Sequence, residues 1–230
     1  MQTVINPNNK RLYVWHQGYV KKTGVPPSVE VLIKDSPSEN PGKWTLYIPR
    51  YHEYPPVDEY AFPKELYLEV PAIYKVFFDF LGWNFGVKIV SEPMLRFLKK
   101  NGLTDGYELA IIKDVINRKG KVLTTNKKYF ALRFNLFDDA LLDFRNKEEV
   151  ESGVHTKMMY DIFPNMCVRE NVDKRIFVLE HFTFRYSLLF TEDIKAQIEE
   201  NKFVGPEIYA IDEFYKAFNE RPRIDTNSIK

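Results

Sequence analysis

The sequence predicts an α+β protein with a mixed, mainly antiparallel sheet and a few helices. Segments in which apolar and polar residues alternate, such as residues 129–136, indicate strands with one buried face. A capped amphipathic helix between two apolar segments occurs twice, which indicates two similar strand–helix–strand units. Aromatic residues make up 15% of the chain, and aromatic side chains favour strands and the cores beneath them.

The first unit spans residues 87–115. Its first strand ends at Ser91, whose hydroxyl can accept a hydrogen bond from the N–H two or three residues further on, and Glu92 suits the positive end of the helix dipole. Gly102 tolerates the positive φ with which many helices end. Residues 107–115 are predicted to form a largely buried strand, because their apolar residues run without a polar break.

The second unit, residues 188–214, repeats this outline. Thr191 takes the place of Ser91 as the helix cap, and the apolar positions of the two helices coincide. A repeat of this length indicates that one supersecondary unit was built twice, with helices starting near Ser91 and Thr191 in equivalent positions. Pro206 departs from the first unit and leaves the register of the second strand open.

The other predicted elements surround these units in one compact domain, residues 1–230. The N-terminal part, residues 1–86, is strand-rich and aromatic. It contains predicted strands at 10–20, 28–33 and 44–48, an ordered tyrosine- and proline-rich loop at 49–71, and a helix or strand at 73–85. Later elements are a hairpin turn at 117–121, a strand at 129–136, a short helix opened by Asp138 and Asp139, an exposed polar segment at 146–156, a hairpin or bent strand at 175–190 and a frayed tail at 221–230.

Composition limits the class of protein. The chain has 230 residues and a single cysteine, so it can bury a core without disulfides and suits a reducing compartment. No apolar run approaches the roughly 18 residues of a membrane span. The net charge of +1 excludes a protein held to nucleic acid by its bulk charge. We therefore expect a cytoplasmic protein that binds neither membrane nor nucleic acid.

The common catalytic signatures are absent from the sequence. It contains no glycine-rich phosphate loop, no H-E-x-x-H and no G-x-S-x-G. Asp138, Asp139 and Asp143 could form a carboxylate cluster, but two aspartates at the start of a helix are more simply a cap. Cys167 would need a histidine, such as His155 or His181, to act as a nucleophile. We predict no catalytic residue, metal ligand or cofactor; a carboxylate-based or metal-dependent hydrolase or nuclease, or a structural subunit of a larger assembly, stays open as an alternative.

Three stretches together resemble a known family. They are N-G-L-T-D-G-Y-E-L at residues 101–109, K-Y-F-A-L-R-F at 128–134 with the D-D-A-L-L-D-F that follows, and T-E-D-I at 191–194. The family is the double-unit immunity proteins of bacterial polymorphic toxin systems, formerly domains of unknown function, and the resemblance covers residues 87–214. It implies a non-catalytic cytoplasmic protein that binds and neutralises a cognate toxin.

Two surfaces are candidates for binding this toxin. The tyrosine- and proline-rich loop has the composition of an interface anchor, since rigid amphipathic rings lose little freedom on binding. The second helix is acidic, whereas the first unit is locally basic, and an acidic face would steer a basic toxin such as a nuclease. A homodimer is kept as an alternative assembly. The candidate residues are Tyr47, Arg50, Tyr51, Tyr54 and Tyr60 in the loop, and Glu192, Asp193, Glu199 and Glu200 in the helix.

Overall fold

A computed structural model of the chain describes residues 11–16, 24–27, 30–52, 54–56, 58–71, 75–83, 86–151 and 159–219. These residues contain three α-helices and fourteen strands, which confirms the α+β prediction, and the predicted tail at 221–230 lies outside them. The helices are α1 (Glu92–Lys100), α2 (Glu192–Glu200) and α3 (Lys216–Asn219). The strands are β1 (Leu12–His16), β2 (Leu32–Lys34), β3 (Glu65–Val70), β4 (Phe80–Gly82), β5 (Val87–Ser91), β6 (Tyr107–Asn117), β7 (Tyr129–Phe134), β8 (Leu142–Asp143), β9 (Glu148–Glu151), β10 (Met159–Ile162), β11 (Cys167–Val168), β12 (Ile176–Phe177), β13 (Leu188–Thr191) and β14 (Glu207–Ala210).

The strands form two main sheets. The larger has six strands in the order β2-β3-β6-β7-β5-β4, and within it only the β3–β6 pair is parallel. The smaller has four antiparallel strands in the order β12-β13-β1-β14. Two-stranded ladders join β9 to β10 and β8 to β11. The sheet is therefore mixed and mainly antiparallel, as predicted.

The two strand–helix–strand units have the same topology. In the first, β5 and β6 both pair antiparallel with β7, which lies between them; in the second, β13 and β14 flank β1 in the same way. Each unit thus contains two parallel strands with an antiparallel strand inserted and a nine-residue helix as the connection. The inserted strand of the first unit, β7, follows that unit in the chain, whereas that of the second unit, β1, is the first strand of the protein's described part. Common descent of the units by duplication stays a prediction.

Both helices end in the same turn. The N–H of Leu103 donates to the carbonyl of Leu98 at 3.0 Å, and the N–H of Phe203 donates to the carbonyl of Ile198 at 3.1 Å. The residue just before each of these donors has a positive φ, 96° at Gly102 and 53° at Lys202. This 6→1 bond after a left-handed residue is a Schellman motif, and the positive φ of Gly102 is as the sequence predicted.

The two helices share one apolar cluster. Met94 and Leu98 of α1 and Ile194 and Ile198 of α2 are buried in it, together with Trp15. A second cluster packs between the N-terminal segments and the larger sheet, and a third lies beside the smaller sheet toward the C-terminus. The equivalent apolar positions of the two units therefore meet in a common core.

The predicted strand at 44–48 is wrong. Residues Lys43–Leu46 form a 3₁₀ helix, in which the N–H of Thr45 donates to the carbonyl of Gly42 at 3.2 Å and the Thr45 hydroxyl donates to the same oxygen at 2.8 Å. The ring of Trp44 turns inward, and its Nε1 donates to Asp35 at 2.6 Å. Local side-chain bonds have replaced the ladder that the apolar residues suggested.

The tyrosine- and proline-rich loop is shorter than predicted. Its last residues form β3, in which Leu66, Leu68 and Val70 are buried and the strand pairs in parallel with β6. The alternation in E-L-Y-L-E-V is a strand pattern, but it follows directly on a proline-rich stretch that concealed it. Part of the predicted surface loop is therefore an interior strand of the larger sheet.

The strand predicted at 107–115 is confirmed, but it is not buried on both faces. Leu109 and Ile111 are exposed, whereas Ala110 and Ile112 face the second cluster. Helix α1 packs over β5 and β7, so it covers this side of the sheet only in part. An unbroken apolar run does not distinguish a strand with two buried faces from one with a single buried face.

The remaining predictions mostly hold in the described residues. Strands occur within or near 10–20, 28–33, 129–136 and 175–190, and the last of these is a hairpin of β12 and β13. Of the range 73–85, predicted as a helix or a strand, the described residues 75–83 contain the strand β4 and no helix. At 117–121 the chain turns and Val122 pairs with Ile116. Of the polar segment predicted at 146–156, the described residues 146–151 are mostly exposed and contribute the strand β9, and the rest lies outside the described residues.

Candidate partner-binding surface

The Tyr/Pro segment, which we define as residues 46–60, is fastened to the larger sheet by one arginine. Arg133 projects from β7 and is 2% exposed. Its Nη1 donates to the carbonyl of Trp44 at 2.9 Å and to the carbonyl of Tyr60 at 2.9 Å. Trp44 lies just before the segment and Tyr60 is its last residue, so a single guanidinium holds the two ends of the loop together.

The guanidinium of Arg133 is stacked and neutralised. It lies 4.5 Å from the ring centroid of Tyr47 and 4.8 Å from that of Phe62. Its Nε donates to Oε2 of Glu108 at 2.7 Å, and Nη2 lies 2.6 Å from the same oxygen. Burial lowers the pKa of Arg133, and Glu108 opposes that effect. A buried, paired and doubly stacked arginine fixes the base of the segment rigidly.

The predicted contact residues of the Tyr/Pro segment divide into two groups. Tyr47 is only 3% exposed and Tyr60 is half-buried, so both support the surface from beneath. Tyr51 is 74% exposed, Tyr54 is 58% exposed, and Arg50 is exposed beside them. The rings that a partner can reach are therefore those of Tyr51 and Tyr54.

Two exposed aliphatic residues of this surface are absent from the sequence-based candidates. Leu46 is 56% exposed and Ile48 is 46% exposed, next to the tyrosines. The 3₁₀ helix directs Trp44 inward and Leu46 outward, whereas the predicted strand gave no such assignment. Large apolar side chains clustered on a fixed loop are typical of an interaction surface.

A cleft of about 1150 Å³ lies beside the Tyr/Pro segment. Residues 47–51 line it, and so do five of residues 180–186, a stretch that we call the 180–186 wall. Phe182, Arg185 and Tyr186 contribute ring faces and a guanidinium. Sequence reasoning missed this wall, although the run F-T-F-R-Y at 182–186 has the aromatic and arginine content of binding surfaces.

Comparison with known proteins identifies the family. The sequence model of the family named immunity protein 43 matches residues 20–226, which is most of the chain. The chain belongs to the immunity protein 43 family. This confirms the resemblance to immunity proteins and extends it over the N-terminal segments that contain the Tyr/Pro segment. No curated protein matches the chain.

The acidic helix of this immunity protein 43 family member carries its charge on the solvent side. Its four predicted contact residues, Glu192, Asp193, Glu199 and Glu200, are all exposed. Two of them have basic partners: Asp193 pairs with Arg175 at 3.0 Å and Glu199 with Lys195 at 2.8 Å. Arg175 and the Thr191 hydroxyl also help to lower the pKa of Asp193, against its partial desolvation. Among the described residues Glu192 and Glu200 form no ion pair, and Glu192 accepts a hydrogen bond from the Tyr13 hydroxyl at 3.3 Å.

The aspartates considered as a cluster have separate structural partners. Asp138 accepts from the N–H of Val178 at 2.9 Å and from Lys174 at 2.7 Å. Asp139 accepts from the N–H of Glu180 at 2.9 Å and from that of His181 at 3.2 Å. The short helix predicted here is a 3₁₀ helix, Asp139–Leu141, and no side-chain bond caps it, so the predicted capping role is wrong. Both aspartates instead hold the chain at 178–181.

The other candidates for chemistry are also dispersed. Asp143 pairs with Arg145, and Cys167 is buried with a free thiol. His181 packs among Phe144, Phe163 and Phe184, and burial lowers its pKa; His155 lies outside the described residues. In the described part of the chain no group of three or more His, Cys, Asp or Glu residues is placed to hold a metal ion. Every helix there falls short of the length and apolarity that a membrane crossing requires.

Proposed function

We propose that this protein binds and neutralises a cognate toxin in the cytoplasm, as a non-catalytic immunity protein of a polymorphic toxin system. Membership of the immunity protein 43 family supports a toxin-directed role. The observation that carries the proposal is the Tyr/Pro segment: Leu46, Ile48, Tyr51 and Tyr54 are exposed on a loop that Arg133 holds in place. A preorganised apolar surface binds a partner with little loss of conformational entropy.

The two predicted surfaces would act at different stages of binding. The tyrosines and aliphatic residues of the Tyr/Pro segment are buried on contact and slow dissociation. The acidic face of α2 attracts a basic toxin from a distance and speeds association. The net charge of +1 and the mixed charges of the surface favour a protein partner over a nucleic acid.

Co-purification with the product of the adjacent gene, followed by binding kinetics, tests the proposal. Replacing Tyr51 and Tyr54 by alanine should speed dissociation about tenfold or more, since each ring is a candidate hot spot worth over ~1 kcal/mol. Reversing the charge of Glu199 and Glu200 should slow association several-fold at low salt.

Two matched variants control for general effects of these changes. Tyr215→Ala removes a tyrosine that is 40% exposed elsewhere, and Glu170→Lys reverses an exposed acid elsewhere; both should leave the rates unchanged. A wild-type protein that neither binds the toxin nor protects cells from it would contradict the function. Tight binding with rates that none of the four changes at Tyr51, Tyr54, Glu199 and Glu200 alters would contradict the two surfaces only.

A further inference from the structure

The 180–186 wall of the cleft is fixed to the larger sheet by two close contacts. The amine of Lys88, which is 1% exposed on β5, donates to the carbonyl of Arg185. Gly82 on β4 lies so near that an added Cβ would come within 1.8 Å of the Tyr186 carbonyl oxygen. No side chain fits there without moving the backbone. The wall therefore has one position relative to β4 and β5.

The Arg185 guanidinium is held between two rings and forms no ion pair with any of the residues that the structure describes. It lies 4.5 Å from the ring centroid of Phe182 and 4.7 Å from that of Tyr186. Its Nε is buried and has no hydrogen-bond partner among the described residues. A buried donor without a partner costs free energy, which an incoming acceptor would recover. A stacked guanidinium presents its N–H groups as a planar fork that matches a carboxylate.

The Tyr/Pro segment adds a second cation and an apolar surface to the cleft. Arg50 is exposed there without an acidic partner in the described chain, and Ile48 and Tyr51 flank it. The carboxylates that line the cleft are Asp139 and Glu180, and Asp139 is already occupied by two backbone N–H groups. Arg133, the third arginine, is neutralised by Glu108.

We infer that the cleft receives a protruding segment of the toxin that carries an aspartate or glutamate next to an apolar side chain. The inference rests on the proposed function. The carboxylate binds the fork of Arg185 with Arg50 at the rim, and the apolar side chain packs against Ile48, Tyr51 and Phe182. A cleft of about 1150 Å³ has room for several side chains. Asp139 and Glu180 would repel a polyanion, so the occupant is a protein segment with a single acid.

Charge-reversal variants of the full-length protein, measured against the purified toxin domain from the adjacent gene, test the inference. Arg185→Glu should weaken binding about 30-fold or more, mainly through faster dissociation, because it leaves a carboxylate opposite a carboxylate in a desolvated site. Arg185→Gln keeps a planar group without charge and should lose about tenfold. Arg50→Glu, at the rim, should slow association several-fold in a salt-dependent manner.

The matched control is Arg96→Glu on the exposed face of α1, which should change the affinity less than about twofold. Thermal melting of each variant checks folding; if Arg185→Glu fails to fold, the Arg185→Gln and Arg50→Glu results decide. Lysine substitution of each exposed acid of the toxin should yield one variant that restores binding to Arg185→Glu.

The outcomes separate this inference from the proposed function. If the wild-type protein does not bind the toxin, both are overturned. If it binds and the three arginine variants bind equally well, the cleft assignment is overturned and the immunity function stands. A fluorescein-labelled single-stranded RNA of ten nucleotides is the competing probe. Binding of that RNA to the wild type, with a matching loss in Arg185→Glu, would also overturn the protein-segment assignment.

Discussion

The two strand–helix–strand units share a backbone outline but have opposite surface charge. Their buried positions correspond, since Met94 and Leu98 meet Ile194 and Ile198 in one cluster. Their exposed positions do not: α1 presents Arg96, Lys99 and Lys100, whereas α2 presents Glu192, Asp193, Glu199 and Glu200. The apolar positions and helix ends are constrained by the fold, while the solvent-facing charge is free to serve recognition.

One buried position also differs, and it lies behind the cleft. Lys88 of β5 occupies the place that Leu188 occupies in β13, counting from the caps Ser91 and Thr191. Both side chains are 1% exposed. Burial, assisted by the nearby charge of Arg185, lowers the pKa of Lys88 to about 7. Burial of the Lys88 amine therefore destabilises the folded state, but it provides the hydrogen bond that holds the 180–186 wall. Leu188 in the second unit has no amine to bury.

The largest change in stability is expected at Asp79, and it tests whether the two units depend on each other. Asp79 is 3% exposed, and its carboxylate accepts from the Ser91 hydroxyl, from Lys127 at 2.8 Å and from the N–H of Val204 at 2.9 Å. It thus joins the cap of α1 to the chain that follows α2. Asp79→Ala should lower the free energy of unfolding by about 3–5 kcal/mol, because two donors, one of them buried, lose their acceptor and the partly buried ammonium of Lys127 loses its counter-charge, keeping only the Phe77 carbonyl.

Urea unfolding measures this loss against an exposed pair. Asp212→Ala removes the partner of Arg11, and both side chains of that pair are about half exposed, so the loss there should stay below about 1 kcal/mol. Equal losses in the two variants would show that Asp79 is not a special link between the units.

The next prediction concerns how stability depends on pH when Lys88 is replaced by leucine, the residue at the equivalent position of the second unit. The lysine pKa is 10.5 in the unfolded chain and about 7 in the folded one, so between these values the unfolded state binds more protons and stability rises with pH. From pH 7 to pH 9 the wild type should gain about 2 kcal/mol relative to Lys88→Leu.

Urea midpoints at the two pH values check this difference. Lys128→Leu, at an exposed position just before β7, is the matched control and should follow the wild type. A Lys88→Leu protein with the same pH dependence as the wild type would show that the amine keeps an ordinary pKa in the folded state.

The smallest effect concerns the turns that end α1 and α2. Lys202 has φ of 53° where the first unit has Gly102 with φ of 96°, and a residue with a Cβ is strained in this region. Lys202→Gly should therefore raise the free energy of unfolding by about 1 kcal/mol, and Gly102→Lys should lower it by a similar amount. Chemical denaturation measures both; a destabilised Lys202→Gly protein would mean that contacts of the lysine outweigh the backbone strain.

The capping residues show how far local sequence reasoning reaches. Ser91 accepts from the N–H of Met94 at 3.3 Å, as predicted. Thr191 begins the second helix without a side-chain bond to its N–H groups, and its hydroxyl donates to the Asp193 carboxylate instead. Both helices start where the sequence indicates. The identity of the bonds at each cap depends on the neighbours that tertiary packing supplies, such as Arg175 beside Asp193.

Which residues of the Tyr/Pro segment are exposed also depends on tertiary packing, so the sequence predicted their exposure only in part. The exposure of Tyr51 and Tyr54 agrees with a tyrosine-rich loop, but the burial of Tyr47 depends on Arg133, which lies far along the chain. The exposure of Leu46 follows from a 3₁₀ helix that no periodic pattern in the sequence predicted. Composition identifies a segment suited to binding, and packing decides which of its rings a partner can reach.

The sequence by itself determined the fold class, the two units, the helix boundaries and the apolar positions, because these depend on caps, turns and periodicity within a few residues. The tertiary structure decided that the two units share one core, that β1 and β7 are inserted in the same way, and that the 180–186 wall and the Tyr/Pro segment line one cleft. These relations join residues far apart in the chain. The contacts between these residues are stabilised by burial, stacking and hydrogen bonds that form only when distant strands meet. A pattern within a few residues therefore cannot predict them.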